Sequence, residues 1–497
     1  MGKEINQSEF EESDYSIFRE RLTDCLTALE KVVDSPGFGR CETTVGAELE
    51  MFLMTDDGRP TALNEQVRRT VADDRVALEV DQFNLEVNLR PVPLRGRPFT
   101  AMRSETEELL SAVAAAAGAH GAAPVMIGTL PTLTRSDLGR PFLTADRRFR
   151  VLDHTLARLR ATPYALVLPD DEHSTLIADS IAVQGANCSW QVHLLVRPDE
   201  FTRVYNAAQL AIAPVLAAAG NSSLPMGRRG WQEARIPMYE QGFGESGAGD
   251  PAGSRGRVAF GDGWLKGGAV QLFADAVHRH EVLLPVLSEQ HPAQPLAPGE
   301  FPRLEELSLH QGTVWTWNRP VYDPSGHLRV EFRALPSGPT PADMTANSAF
   351  LLGLTLHLAA RPEDLDAALP FEAVRENFYR AARLGLGAQL HWPGESRASP
   401  EQSPAPDLIR ALLPAALDGL VSAGVDVAEA EESLGVIEDR VSTGQTGAVW
   451  QRRALNAYER HDDHESALRR LVLAYSELSV TRRPVHTWPV PAREKNR

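Results

Sequence analysis

The run VGAELEMFLM, residues 45–54, places Glu48 and Glu50 two positions apart in an otherwise apolar stretch. Three later runs repeat the arrangement: FNLEVNL (83–89) with Asn84 and Glu86, SWQVHLLV (189–196) with Gln191 and His193, and LRVEFRAL (328–335) with Glu331 and Arg333. In an extended chain, residues i and i+2 share a face. Each pair therefore projects from one side of its strand. If the four strands share a sheet, that face collects at least three carboxylates, an imidazole and a guanidinium. Such a surface suits a hard divalent cation and a phosphate.

Alternation of polar and apolar residues usually marks only a half-buried strand with one face in water. Taken singly, each pair reads that way. Glutamate is depleted in strands, however, and neighbouring carboxylates repel unless a cation lies between them. Four such pairs in one chain favour the shared face.

Around these strands the pattern predicts an amphipathic helix over 14–34, with Phe18, Leu22, Leu26, Leu29 and Val33 on one face. A turn follows the first strand at Asp56, Asp57 and Gly58. A second strand block is expected over 78–92, an Ala-rich helix over 103–117, a buried strand in APVMIGTL (123–130) and a helix over 144–161. Asp199 is the expected N-cap of a helix reaching about Ala219. LSLHQGTVWTWNRPV (307–321) reads as a strand, residues 396–406 as a surface loop, and the chain beyond about 341 as largely helical. The Gly- and Ser-rich run 242–257 reads as a mobile loop or lid. Strands with appended helices and few βαβ units imply an α+β class with a mainly antiparallel sheet.

The chain has 497 residues and a net charge of −17, with 43% hydrophobic and 24% charged residues. That balance is globular and argues against nucleic acid or an anionic membrane as partner. Cys25, Cys41 and Cys188 cannot form a disulfide framework, and the opening MGKEINQSEFEESD is not a signal peptide. A cytoplasmic location is the expectation. Lysine occurs only at positions 3, 31, 266 and 495, and there is no GxxxxGK[ST] loop. If the protein uses ATP, metal ions and arginines must hold the phosphates.

The order of the motifs resembles that of the glutamate–cysteine ligases and their carboxylate–amine ligase relatives with a glutamine-synthetase-like fold. The resemblance rests first on a G-x-E-x-E strand (Gly46, Glu48, Glu50) and an acidic residue seven positions before an L-E strand (Glu79, with Leu85 and Glu86). A Q-V-H core follows (Gln191, Val192, His193), then an N-S loop with a downstream arginine (Asn221, Ser222, Arg235). An E-x-R strand (Glu331, Arg333), with a helix beginning near Asp343, closes the set. It spans about residues 43–390, with a looser echo in 435–451.

The resemblance implies a curved, mainly antiparallel sheet forming a funnel-shaped active site flanked by helices. It implies an N-terminal helix over 1–42, a catalytic domain over 43–395, and a helical extension over 396–497 packed on that domain. Glu48, Glu50, Glu79, Glu86, His193 and Glu331 would ligate Mg²⁺ or Mn²⁺. The odd spacing from Glu79 to Glu86 places Glu79 on the other strand face unless a bend intervenes, so Asp81 competes for that role. Glu48, Glu331 and Arg333 would be catalytic, with Arg333, Arg319 and Asn318 toward the nucleotide and Arg235, Asn221 and Gln191 toward the amino acid. The implied partners are ATP and small amino acids, with a homo-oligomer left open. The implied activity joins the γ-carboxylate of glutamate to cysteine through an acyl phosphate. Alternatives are another amide ligase on the same fold, a metal-dependent hydrolase, or a binding protein on the same scaffold.

Overall fold

The computed structural model describes residues 7, 9–160, 163–168, 174–243, 256–297, 299–361, 365–393 and 401–491. Twelve strands occur among them. They are β1 (Thr44–Met54), β2 (Val76–Leu78), β3 (Asn84–Asn88), β4 (Val92–Pro93), β5 (Ala123–Val125) and β6 (Tyr164–Val167). After them come β7 (Thr175–Ala178), β8 (Trp190–Val196), β9 (Asn318–Asp323), β10 (His327–Phe332), β11 (Gln389–Trp392) and β12 (Glu401–Pro404).

The principal sheet runs β2-β3-β1-β8-β10-β9, antiparallel throughout, and curls as a half-barrel. All four strands singled out from the sequence lie in it. β1 is the longest and pairs along both edges, with β3 and β4 on one side and β8 and β5 on the other. The remaining pairs, β6–β7 and β11–β12, are separate hairpins.

Strand parity sorts the two faces. Val45, Leu49 and Met51 of β1, Trp190, Val192 and Leu194 of β8, and Leu328, Val330 and Phe332 of β10 are buried on one of them. Each such side chain contributes about 1.5–3 kcal/mol through burial. Their cover is helical. The helix Pro341–Ala360 packs against Phe201–Ala219, Ala405–Ser422 and β8, and Trp190 Nε1 donates to its Ser348. That helix is apolar around most of its circumference, as an interior helix must be. The core is continuous from Tyr15 to Trp488. No helix among the described residues is long and apolar enough to cross a membrane.

Several local expectations are corrected. The strand expected over 307–321 begins only at Asn318; Leu304, Leu307 and Leu309 instead serve the helix Glu305–Gln311, which stops at Gly312. A short apolar run does not by itself separate the two periods. Asp199 does not cap its helix; Glu200 holds the N-cap position without a side-chain bond. APVMIGTL is a strand only at Ala123–Val125. Part of the expected surface loop, Glu401–Pro404, pairs with β11, and Ala405 starts a helix. Most of the 242–257 run, 244–255, lies outside the described residues.

Candidate active site

The register of the sheet turns the four sequence pairs into a grid. Glu50 of β1 faces Glu86 of β3, and Glu48 faces Asn88 on one side and Gln191 of β8 on the other. His193 faces Gly46 and Glu331, and Glu331 faces Arg319 of β9. All stand on the face opposite the one that the helix Pro341–Ala360 covers. Within it lie two groups of three, Glu48–His193–Glu331 and Glu50–Glu79–Glu86. In each, ligand-type atoms come within 4.8 Å of one another.

Glu79 belongs to this face, and the reason is the hairpin. Ala77 pairs with Glu86 and Leu78 with Leu85, so the register continued by one sets Glu79 opposite Asn84. Directly opposed residues share a face. The turn between β2 and β3 thus reverses the parity that an uninterrupted strand would impose. Asp81, the competing residue, sits in that turn and is fully buried, with neither carboxylate oxygen hydrogen-bonded. Burial, then Glu79 and Asp153, hold its acid far above the usual range. It stands outside both groups of three.

The two groups differ electrically. Burial raises the Glu331 carboxyl, but Arg319 and Arg333 outweigh it and hold the group low. Arg319 donates to it through Nε and Nη2, the latter at 2.9 Å, and Arg333 Nη1 lies 3.3 Å from it. Glu48 is likewise brought down to about 2, because the neighbouring His193 overcomes burial. His193 Nε2 is 3.1 Å from Glu48 and 3.7 Å from Glu331, yet neither ring nitrogen makes an aligned hydrogen bond. In the second group burial dominates. Glu50 is raised to about 7 by burial and by Glu79, against Arg333. Glu79 is raised, and Glu86 well above its ordinary value through burial, Glu48 and Glu79.

A divalent cation fits this arrangement. Three carboxylates crowded with no ion pair of their own among the described residues, and an imidazole whose ring nitrogens make no aligned hydrogen bond there, are what such an ion would satisfy. Oxygen donors with one imidazole suit Mg²⁺ or Mn²⁺ better than Zn²⁺.

Several expected contacts are spent within the protein. Gln191 donates to Glu50 Oε1 at 2.8 Å and accepts from Arg333, joining the two groups. The Ser189 backbone N–H holds the other Glu50 oxygen at 2.6 Å. Arg235, expected at a substrate carboxylate, is 2% exposed and bonds Glu233 at 2.8 Å and the Ala334 carbonyl at 2.7 Å. Asn221 is fully buried among Ser337, Tyr475 and Gln451. Asn318 points to Gln209 on the helical side, because it neighbours Arg319 and so takes the opposite face. Arg333 stays at the site, with Nε buried and unpartnered.

Two residues at the cluster carried no sequence signal. Tyr239, on the helix Arg235–Gly242, feels Arg333, Glu50 and Glu79. Its place four residues after Arg235 puts it one turn further along that helix. Arg148, at the start of the helix Arg147–Arg160, feels Glu79, Asp146, Arg319 and Glu86.

The family profile of glutamate-cysteine ligase family 2 matches residues 44–473. Among solved structures the chain is similar to glutamate–cysteine ligase from Francisella tularensis in complex with AMP, at 11% identity and TM-score 0.52. That match covers 92% of this chain and 91% of the other. It is also similar to a bifunctional glutathione synthetase from Pasteurella multocida at 12% identity and TM-score 0.45, covering 94% of this chain and 55% of that one. No curated protein sequence matches. The first structural likeness shows a common fold, and the profile runs through every strand of the acidic face. The chain belongs to glutamate-cysteine ligase family 2, a family of amide-bond ligases.

Proposed function

We propose that the protein is an ATP-dependent carboxylate–amine ligase that joins the γ-carboxylate of glutamate to the amine of cysteine. The observation that carries this reading is the convergence of two carboxylate-rich groups and the Arg333 guanidinium on one face of the curled sheet. The AMP bound by the Francisella enzyme on the same fold supports an adenine nucleotide here.

Glu48, His193 and Glu331 would hold one Mg²⁺ or Mn²⁺, and Glu50, Glu79 and Glu86 another. When bound, such ions offset negative charge on phosphoryl oxygens. The chain's own residues do the rest. A carboxylate oxygen of glutamate attacks the γ-phosphorus of ATP and ADP leaves, giving an acyl phosphate. The neutral amine of the second substrate, its ammonium having lost a proton, then attacks the acyl carbon; phosphate departs with the C–O bond pair and takes the nitrogen's surplus proton, leaving the amide. Arg333, with an unspent Nε beside Glu331, stabilises charge gathering on the transferring group. Arg319 and Gln191 keep Glu331 and Glu50 in place.

The test is ADP release in Mg²⁺ with glutamate, with and without cysteine and a panel of other amines. ADP formation that requires both glutamate and cysteine supports the full reading. A requirement for a different acid or amine keeps the ligase and replaces the pair. Bond cleavage without ATP would return the hydrolase.

A further inference from the structure

The guanidiniums of Arg148, Arg319 and Arg333 are not equivalent. Arg319 spends two N–H groups on Glu331 and one, at 3.4 Å, on the carbonyl of Gln311. Arg333 is engaged with Gln191 and Glu331. Arg148 makes no side-chain hydrogen bond and no ion pair within 4.0 Å among the described residues, and its Nε is buried. Its backbone N–H is fixed by Asp146 at 2.7 Å, which anchors the start of its helix.

The neighbouring turn brings Arg148 to the site. Gln311 and Gly312 end the helix Glu305–Gln311. A Cβ built on Gly312 would lie 3.8 Å from Arg148 Nη2, and the adjacent Gln311 carbonyl is the one Arg319 grips. Two cations thus meet at one turn, against the edge of the carboxylate cluster. A half-buried fork of donors, with a second guanidinium beside it and no anion attached, lacks a partner.

We infer that Arg148 binds the polyphosphate of the nucleotide at the outer edge of the metal cluster. This rests on the ligase reading above and adds the residue that receives the phosphates. Polyphosphate is favoured over an amino-acid carboxylate because Arg148 meets the turn that Arg319 also grips, and Arg319 holds the Glu331 carboxylate proposed as a metal ligand.

The test is calorimetric titration of the intact protein, in Mg²⁺, with a non-hydrolysable ATP analogue. Wild type is compared with Arg148→Met and Arg148→Lys, with thermal midpoints as the folding control. Arg148→Met should weaken analogue binding about 10- to 100-fold, the worth of a charge-assisted hydrogen bond. Arg148→Lys should lose less, keeping charge without the planar fork. Glutamate binding should be unchanged. Unchanged analogue affinity in both variants overturns the inference, as does weakening of glutamate binding alone. If Arg148→Met does not fold, Arg148→Lys decides. A wild type that binds the analogue through Arg148 yet makes no amide ends the ligase reading and leaves this one standing.

Discussion

Glu240 should make the protein less stable as pH rises toward neutrality, and Glu240→Gln should remove that loss. Its carboxyl is buried, and Oε1 accepts from Trp317 Nε1 at 2.8 Å and from the Tyr379 hydroxyl at 2.9 Å. Burial raises its pKa from 4.5 to about 7, with those two donors opposing the rise. Between these values the folded chain keeps a proton that the unfolded chain has released. Stability then falls with pH by about 1.4 kcal/mol per unit. The contribution is complete below pH 4.5, is lost on the way to pH 7, and changes no further above it. Over about 2.5 units it amounts to about 3 kcal/mol. Glutamine keeps an oxygen for both donors and never ionises. Glu240→Gln should therefore match wild type near pH 4.5 and exceed it by about 3 kcal/mol at pH 8. Urea unfolding of both proteins at several pH values measures the gap. A gap that stays constant with pH would show that Glu240 is already charged in the folded protein, and the argument from burial would be refuted.

Four further outcomes are expected. Glu48→Gln and Glu331→Gln should each lower turnover by about 100-fold or more while circular dichroism stays native; near wild-type rates in both would remove the assignment. Adding Mg²⁺ should raise the thermal midpoint of wild type, because a ligand that binds only the folded state stabilises it. The rise should shrink in Glu50→Gln and Glu86→Gln, and an equal rise in all three places the ion elsewhere. Arg440→Met should cost about 3–5 kcal/mol, because it removes one partner of a buried ion pair, Asp343 being fully buried at 2.9 Å from Arg440; a change under 1 kcal/mol in urea unfolding would contradict this. Gly447→Ala should destabilise by about 1–3 kcal/mol through overpacking, since its Cβ would meet Asn221 Oδ1 at 2.0 Å.

The acidic face was legible because strand period and function share one signal. A polar residue two positions from another in an apolar strand is visible in one dimension, and the antiparallel sheet multiplies it. Glu79 exposed the limit of that reasoning. Parity holds within a strand but is reset at a hairpin, and no feature of 78–92 marks where the turn falls. Asn221 and Arg235 are held by partners that are mostly remote in sequence, which the chain alone does not display. Tyr475 and Gln451 reach Asn221 from more than 200 residues away. Glu233, two residues before Arg235, was the one local clue that this arginine already had a counterion. Arg148 sits among Arg147 and Arg150, where nothing in the sequence singles one out. Its distinction lies only in the missing partner.

The far end of the chain reaches deep into the molecule. Arg440 bonds Asp343 and Asn347 on the helix behind the sheet, and Tyr475 touches both Met126 and Asn221. Trimming the protein back to its apparent catalytic part would pull out these plugs and expose polar groups that have never met water. Heredity faces the same arithmetic: a frameshift or nonsense change late in the reading frame would silence catalysis almost as surely as one at the acidic face.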